Sequence, residues 1–300
     1  MDKLSAMRAF VEIADRGSLT AAADALGKAQ PTMVRTLANL EAELGTRLLR
    51  RTTRRISLTE EGRGYLERCR QILTDVDEAE RALVSGDTEP RGELRVTAPV
   101  TFGQWHVAPA IVAFLQRHTQ VRVELLLLDR VVNMLEEGID LAVRIGELAD
   151  SSMIANQVGW MRRVVVASPD LLARVGEPAA PEDLTHHPCV QFRGLGAGNV
   201  WRFNDSKKES SIAIQSAIAT NQSLPAVEAC AAGLGFGRFL AYQVGPWVER
   251  EALRIVLTDF EPPPAPVSLV YTDARMMTPR LRVLLDFMKA QLEDTLSRQA

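Results

Sequence analysis

Gln30-Pro31-Thr32-Met33-Val34-Arg35 places an amide, a hydroxyl and a guanidinium within six residues. Such side chains can bond base edges and phosphate oxygens, provided that one element holds them on a single face. Pro31 supplies the start of that element, because its fixed φ and missing N–H suit the first turn of a helix. From there Met33, Leu37 and Leu40 recur at helical spacing, which turns Gln30, Thr32, Arg35 and Asn39 outward. A second group follows Gly45, where Arg47, Arg50, Arg51, Arg54 and Arg55 put five guanidinium groups in twelve residues. With Leu48, Leu49, Ile56 and Leu58 turned inward, this stretch reads as a short hairpin. Its arginines are either a solvated face or a grip on phosphates.

The elements that must position these groups lie on both sides of them. Gly17 can end a preceding helix, Ser18 can cap the next, and Gly27 closes it. Ala21, Ala22, Ala23 and Ala25 between them are small enough for another helix to approach closely. The pair reads as a helix-turn-helix with a recognition helix, although two short helices about a glycine corner serve many helical proteins. Ser18, Thr20, Lys28, Gln30, Pro31, Thr32, Arg35, Arg51, Arg54 and Arg55 are the candidate DNA contacts. Asp2 can cap a first helix with Leu4, Met7, Phe10, Val11 and Ala14 on its buried face. Thr59 reads as the cap of a later helix running to about Ser85, with Glu60 and Glu61 in its favourable first turn. Along it Leu66, Cys69, Leu73, Val76 and Leu83 recur at heptad-like spacing, interrupted by Glu80 and widened by Ile72 and Ala79. A helix placed between two domains has little of its own chain to cover it, which points to a partner helix. Packing on its own domain is the other reading. Ser85–Gly92 is a polar linker bearing Gly and Pro.

Three hundred residues suggest two or three domains, and 46% hydrophobic with 24% charged residues describe an ordinary soluble protein. The net charge of −3 argues against a nucleic-acid binder until its distribution is considered. Residues 1–64 hold 11 basic and 8 acidic residues, a net of +3, while the remainder holds 24 and 30, a net of −6. No apolar run reaches the length of a membrane span and no signal-peptide core is present, so a cytoplasmic protein without membrane contact is expected. Cys69, Cys189 and Cys230 are odd in number and widely separated, as expected of reduced thiols. A redox pair of Cys189 and Cys230 is the alternative to buried core fillers.

The run from Met7 to Gly62 resembles the N-terminal domain of the LysR-type transcriptional regulators. The resemblance rests on Phe10, GSLTAAADAL, Gln30-Pro31, Leu40-Glu41, Leu44-Gly45, Leu48, Arg51 and Leu58-Thr59-Glu60-Glu61-Gly62. The family often carries Ser before Gln30 and again at position 34, where this chain has Ala29 and Val34. Thr32 or Arg35 must then bear more of the grip. The resemblance implies a winged helix-turn-helix domain over 1–59 and a linker and dimerisation helix with hinge over 60–91. It further implies an effector-binding domain over 92–300 similar to type 2 periplasmic binding proteins. The implied partners are double-stranded operator DNA, a second copy in a homodimer or homotetramer, and a small-molecule effector, here a candidate carboxylate. No cofactor or metal is implied.

The second half supports that layout independently. Leu94–Thr97, Val121–Leu128, Leu141–Ile145, Val164–Ala167, Cys189–Phe192, Ile212–Gln215, Gly235–Phe239 and Val267–Tyr271 read as strands, with Trp201 and Phe203 suggesting another. Trp105–Gln116, Val131–Glu137, Leu224–Ala232, Ala241–Val248 and Pro279–Leu296 read as helices. Such βα alternation implies a parallel, doubly wound α/β arrangement, with Val121–Leu128 an apolar strand covered on both faces. In the resembling family two lobes are joined by two crossovers, here near Met161–Arg163 and Pro264–Val267. That division gives lobe I as 92–161 plus 267–300 and lobe II as 162–266. Ligands of open α/β sheets sit at the carboxyl ends of strands, so the cleft between lobes is the expected site. Thr101 and Phe102 after the first strand, Asp129 after the second, Arg144 ending the third, and Asn221 with Ser223 opening a helix are its candidate residues. Val100–Gly103 offers free N–H groups to an anion. Arg144 can hold a carboxylate bidentately or pair with Asp140. The family commonly has Ser or Thr at the position of Thr101 and a polar group at that of Asn221.

Catalytic patterns are lacking. Gly194–Gly198 has no following helix, Gly233–Gly237 follows a helix rather than a strand, and His186-His187 has no third ligand at a recognisable spacing. A ligand-responsive transcription factor is therefore expected. The competing class is a cytosolic small-molecule-binding protein, or an enzyme on that scaffold, whose N-terminal helices make only protein contacts.

Overall fold

A computed structural model describes residues 2–51, 56–84, 89–148, 153–194, 198–205, 208–272 and 277–298. Asp2 opens the chain as a cap: its Oδ1 accepts the Ser5 N–H at 3.3 Å at the head of α1 (Lys3–Arg16), which Gly17 ends in the left-handed region. The buried face of α1 is Ala6, Met7, Ala9, Phe10 and Ile13, whereas Leu4 is 38% exposed and Val11 and Ala14 are half-buried. The stripe is rotated from the expected one because α1 packs against α2, α3 and α4 together, so its buried face includes the small residues Ala6 and Ala9. Ser18 Oγ caps α2 (Leu19–Ala25) by accepting the Ala21 N–H at 3.3 Å. Helix α3 (Gln30–Leu44) ends at Gly45, again left-handed, and buries Met33, Leu37 and Leu40 as its spacing dictates.

A short antiparallel hairpin follows, with β1 (Leu49–Arg51) paired to β2 (Ile56–Leu58). Glu41 in α3 fixes it: its Oε1 accepts the Leu48 N–H at 2.8 Å and the Leu49 N–H at 3.1 Å. Thr59 Oγ1 donates to the carbonyl of Arg47 at 2.7 Å and accepts the Gly62 N–H at 2.9 Å, joining the hairpin to α4 (Glu60–Val84). Gly62 packs so closely that any Cβ there would run into the carbonyl oxygen of Leu48. Gly62→Ala is therefore expected to destabilise the N-terminal unit by about 1–3 kcal/mol or more, because the obstacle is backbone and cannot rotate away. Thermal unfolding should show the loss as a lowered transition for that unit alone.

Leu66, Cys69 and Leu73 of α4 are buried in the same core as Phe10, Ile13, Met33 and Leu37. This corrects the expectation that those three positions face a partner helix. Ile72 is 38% exposed and Val76 half-buried, while the side chains of Ala79 and Leu83 lie outside the described residues.

Contacts divide the chain into two units, Met1–Glu89 and Pro90–Ala300. In the second unit β3 (Gly92–Ala98) runs into a helical stretch made of α5 (Val100–Phe102), a π-helical turn at Gly103–Val107, and α6 (Ala108–Arg117). Strands β4 (Val121–Leu127), β5 (Leu141–Ile145) and β6 (Ile154–Met161) complete a first sheet with β14 (Ala265–Tyr271), in the order β4-β3-β5-β14-β6. α6 and α10 (Pro279–Ser297) cover one face through Ile111, Phe114, Leu284, Met288 and Leu292. The other face is covered by Val132, Met134 and Ile139.

The second sheet has the order β11-β8-β12-β7-β13, from β7 (Arg163–Ala167), β8 (Pro188–Phe192), β11 (Gln215–Thr220), β12 (Phe236–Leu240) and β13 (Arg254–Val256). α8 (Ser223–Ala231) and α9 (Ala241–Glu249) pack on one face. The opposite face meets α7 (Pro169–Val175), a 3-10 turn at Pro181–His186 and the hairpin of β9 (Val200–Asp205) with β10 (Lys208–Ala213). The chain passes between sheets at Arg162, whose guanidinium holds Glu261 near the return crossing through two bonds of 3.0 and 2.7 Å.

Several expectations are corrected here. Both sheets are mixed rather than parallel: β14 runs antiparallel to β5 and β6, and β7 antiparallel to β12 and β13, as a chain that crosses and returns requires. Val121–Leu128 is an edge strand whose Arg122 and Glu124 face solvent, so it is not covered on both sides. Val131–Glu137 is not a helix; it is irregular chain and turn, and its Asn133 side chain accepts the Glu136 N–H at 3.3 Å. The expected strand Ile212–Gln215 straddles the junction of β10 and β11. Among the described residues no helix is long and apolar enough to cross a membrane.

Candidate functional site

In the N-terminal unit α3 presents Gln30, Pro31, Thr32 and Arg35 to solvent, and Thr20 of α2 is exposed as well. Neither Gln30 nor Arg35 has a side-chain partner among the described residues, so both are free to bond a ligand. Ser18 spends its hydroxyl on the cap of α2, and Lys28 Nζ donates to Ser5 Oγ at 2.8 Å. Arg47 and Arg50 are exposed beside them on the hairpin. Arg54 and Arg55, and the side chain of Arg51, lie outside the described residues.

In the second unit a cavity of about 1170 Å³ opens between the two sheets. Asp129 and Arg144 come to it from the first sheet. Asp129 Oδ1 accepts the Val100 N–H at 3.0 Å, so the helix start that the sequence offered to an anion is already occupied by a carboxylate. Its Oδ2 is buried and accepts no bond among the described residues, and burial pushes its pKa up against the pull of the Val100 N–H. Arg144 does not pair with Asp140. It donates to the carbonyls of Arg130 and Val132 at 3.4 and 3.2 Å, and burial lowers its pKa.

The other four expected residues lie elsewhere. Thr101 Oγ1 and Ser223 Oγ form a 2.5 Å hydrogen bond to each other, which ties α5 to the start of α8 across the two sheets. Neither lines the cavity. Phe102 is fully buried and packs edge-on to Tyr242 with ring centroids 5.3 Å apart. Asn221 is exposed and does not line the cavity.

Sequence reading missed the residues that give the cavity its charge. Arg163, Arg202 and Arg238 line the wall contributed by the second sheet and its hairpin, with Tyr242 and Gln243 close by. Arg238 Nη1 donates to the carbonyl of Arg202 at 3.2 Å, and its guanidinium lies 5.4 Å from the centre of the Trp201 ring. Burial, with Arg163 and Arg202 adding repulsion, pushes its pKa down to about 10. The available signal was an arginine interrupting an apolar strand, as in Phe236-Gly237-Arg238-Phe239-Leu240. Cys189 and Cys230 are buried free thiols; burial pushes Cys189 up to about 12 and Cys230 higher still, which opposes thiolate chemistry. No metal-binding cluster occurs among the described residues.

Comparison with known proteins agrees with this division of labour. Residues 4–63 match the bacterial regulatory helix-turn-helix protein, lysR family, and residues 87–293 match the LysR substrate binding domain. An HTH-type transcriptional repressor of Pseudomonas aeruginosa is 35% identical over 294 residues, covering 96% of this chain and 91% of its own length. The transcriptional regulator CrgA of Neisseria meningitidis is 31% identical, covering 96% of both chains. The solved structure of CrgA matches with a TM-score of 0.61 at 30% identity over 96% of this chain and 98% of that one. AphB, a virulence activator of Vibrio cholerae, shares the fold with a TM-score of 0.61 at 23% identity, covering 96% of this chain and 98% of its own. The chain is a DNA-binding transcriptional regulator rather than an enzyme, and it belongs to the LysR family.

Proposed function

We propose that this regulator acts in the cytoplasm as a homodimer or homotetramer on double-stranded operator DNA and answers to a small-molecule carboxylate. In this reading 1–59 reads DNA, 60–91 links and pairs subunits, and 92–300 senses the effector between lobe I (92–161 plus 267–300) and lobe II (162–266). One observation supports the effector site above all: a cavity of about 1170 Å³ is walled by both sheets, so that a ligand filling it must act on their spacing. A ligand shifts such an equilibrium only by binding one arrangement better than the other. Thr101 and Ser223 serve as the tie between lobes, and Asp129 and Arg144 as contacts.

The test is operator binding titrated with carboxylates, using the DNA upstream of the chain's own coding region. Thr101→Val removes the tie and is expected to shift the ligand response by about 0.5–1.5 kcal/mol, one hydrogen bond's worth. DNA affinity without ligand should stay as in wild type. Asn221→Ala, exposed and off the cavity, is the control and should change neither. A ligand that stabilises the protein thermally yet leaves DNA binding unaltered would sink the reading.

A further inference from the structure

Four guanidinium groups and two carboxylates line the cavity, those of Arg144, Arg163, Arg202, Arg238, Asp129 and Glu147. None of the four arginines forms a salt bridge with a carboxylate among the described residues. Three of them gather on one wall. Arg163 pairs with Leu240, and Arg238 with Val165, across the antiparallel strands β7 and β12. Arg163 and Arg238 therefore stand on one face as diagonal neighbours, a separation that long side chains span. The β9–β10 hairpin folds over that face and brings Arg202, with Ser211 directly opposite it in the hairpin register and also in the cavity wall. Arg163 and Arg238 are half-buried, while Arg202 is exposed at the rim. Like charges held together repel one another, and the two half-buried ones are also poorly solvated, which costs stability unless an opposite charge completes the set. Among the described residues none supplies such a charge at this wall.

Resting on the reading of the cavity as the effector site, we infer that its occupant carries at least two negative charges close together, held by Arg163, Arg202 and Arg238. A phosphate group or a pair of neighbouring carboxylates has that chemistry, and guanidinium forks match the oxygens of either. A monocarboxylate leaves the wall undercompensated. Phe192, Phe239 and Val200 border the same space, so the anionic head is followed by apolar surface.

Thermal unfolding of the full chain at constant ionic strength tests this, with inorganic phosphate and pyrophosphate in one arm and succinate and citrate in the other. Acetate is the monoanion control. At least one multiply charged probe is expected to raise the melting temperature by about 2 °C or more while acetate does not, and the responding arm names the head group. Arg163→Gln with Arg238→Gln should abolish that shift. Without any probe the double variant should melt at or above the wild type, because repulsion has been relieved. The inference is overturned by no shift in either arm, by an equal shift with acetate, by a shift that survives the double variant, or by a double variant that melts well below wild type. A small molecule that changes operator binding of wild type and double variant alike would leave the regulatory reading standing while removing this one.

Discussion

Replacing Gln30 and Arg35 together with alanine is expected to lower operator affinity by about 2–6 kcal/mol, since each well-formed bidentate base contact contributes about 1–3 kcal/mol. Both side chains are exposed on α3, and Met33, Leu37 and Leu40 on the opposite face keep the helix seated. The double variant should therefore fold as the wild type does. Its loss should also be selective, with operator and random DNA converging in affinity. Arg50→Ala on the hairpin should behave differently, weakening binding to all sequences and reducing the slope of log affinity against log salt by about 0.9 if one phosphate contact is lost. Fluorescence anisotropy with specific and scrambled duplexes across a salt series separates the two patterns. Unchanged affinity and preference in the Gln30/Arg35 variant would show that α3 does not read bases.

The contrast between the two halves explains what sequence reading could reach. In the N-terminal unit the contacts that set the ends of α1, α2 and α3 are local. Ser18 caps three residues on, Pro31 sets the first turn of α3, and Gly17 and Gly45 end helices in a conformation that glycine favours. Spacing alone therefore placed Met33, Leu37 and Leu40 inside and Gln30 and Arg35 outside. The cavity between the two sheets is assembled from positions such as Asp129, Arg144, Arg202 and Arg238, and no local pattern states which strands will face each other. The rule of the strand ends led to Asp129 and Arg144, which do line the cavity, because those positions depend only on where a strand stops. It did not foresee that the hydroxyls of Thr101 and Ser223 satisfy each other across 122 positions of sequence, off the cavity wall. Arg163 and Arg238 became neighbours only through an antiparallel pairing that the assumption of parallel sheets concealed. The edge position of β4 was hidden for a related reason, since an apolar run does not reveal how many neighbours a strand acquires.

Leu73→Glu is expected to destabilise the N-terminal unit by about 3–5 kcal/mol, combining the loss of a packed leucine with an uncompensated charge. Heptad-like spacing alone points to a different outcome, dissociation of paired subunits with the domain intact. The structure decides between them because Leu73 is 9% exposed and shares its core with Leu66, Cys69 and Phe10. The first half of α4 thus uses its apolar stripe within its own unit. Ile72, one residue earlier and 38% exposed, points elsewhere and is available to a partner helix. Ile72→Glu should leave the melting of the N-terminal unit within about 0.5 kcal/mol of wild type, as for other surface changes. If α4 pairs subunits along that outer face, Ile72→Glu should lower the oligomeric state on sizing while Leu73→Glu lowers the thermal transition. Proteolysis and circular dichroism of the two variants side by side distinguish the effects. A Leu73→Glu variant that melts as the wild type does but runs as a smaller species would return this position to the subunit interface and refute its place in the core.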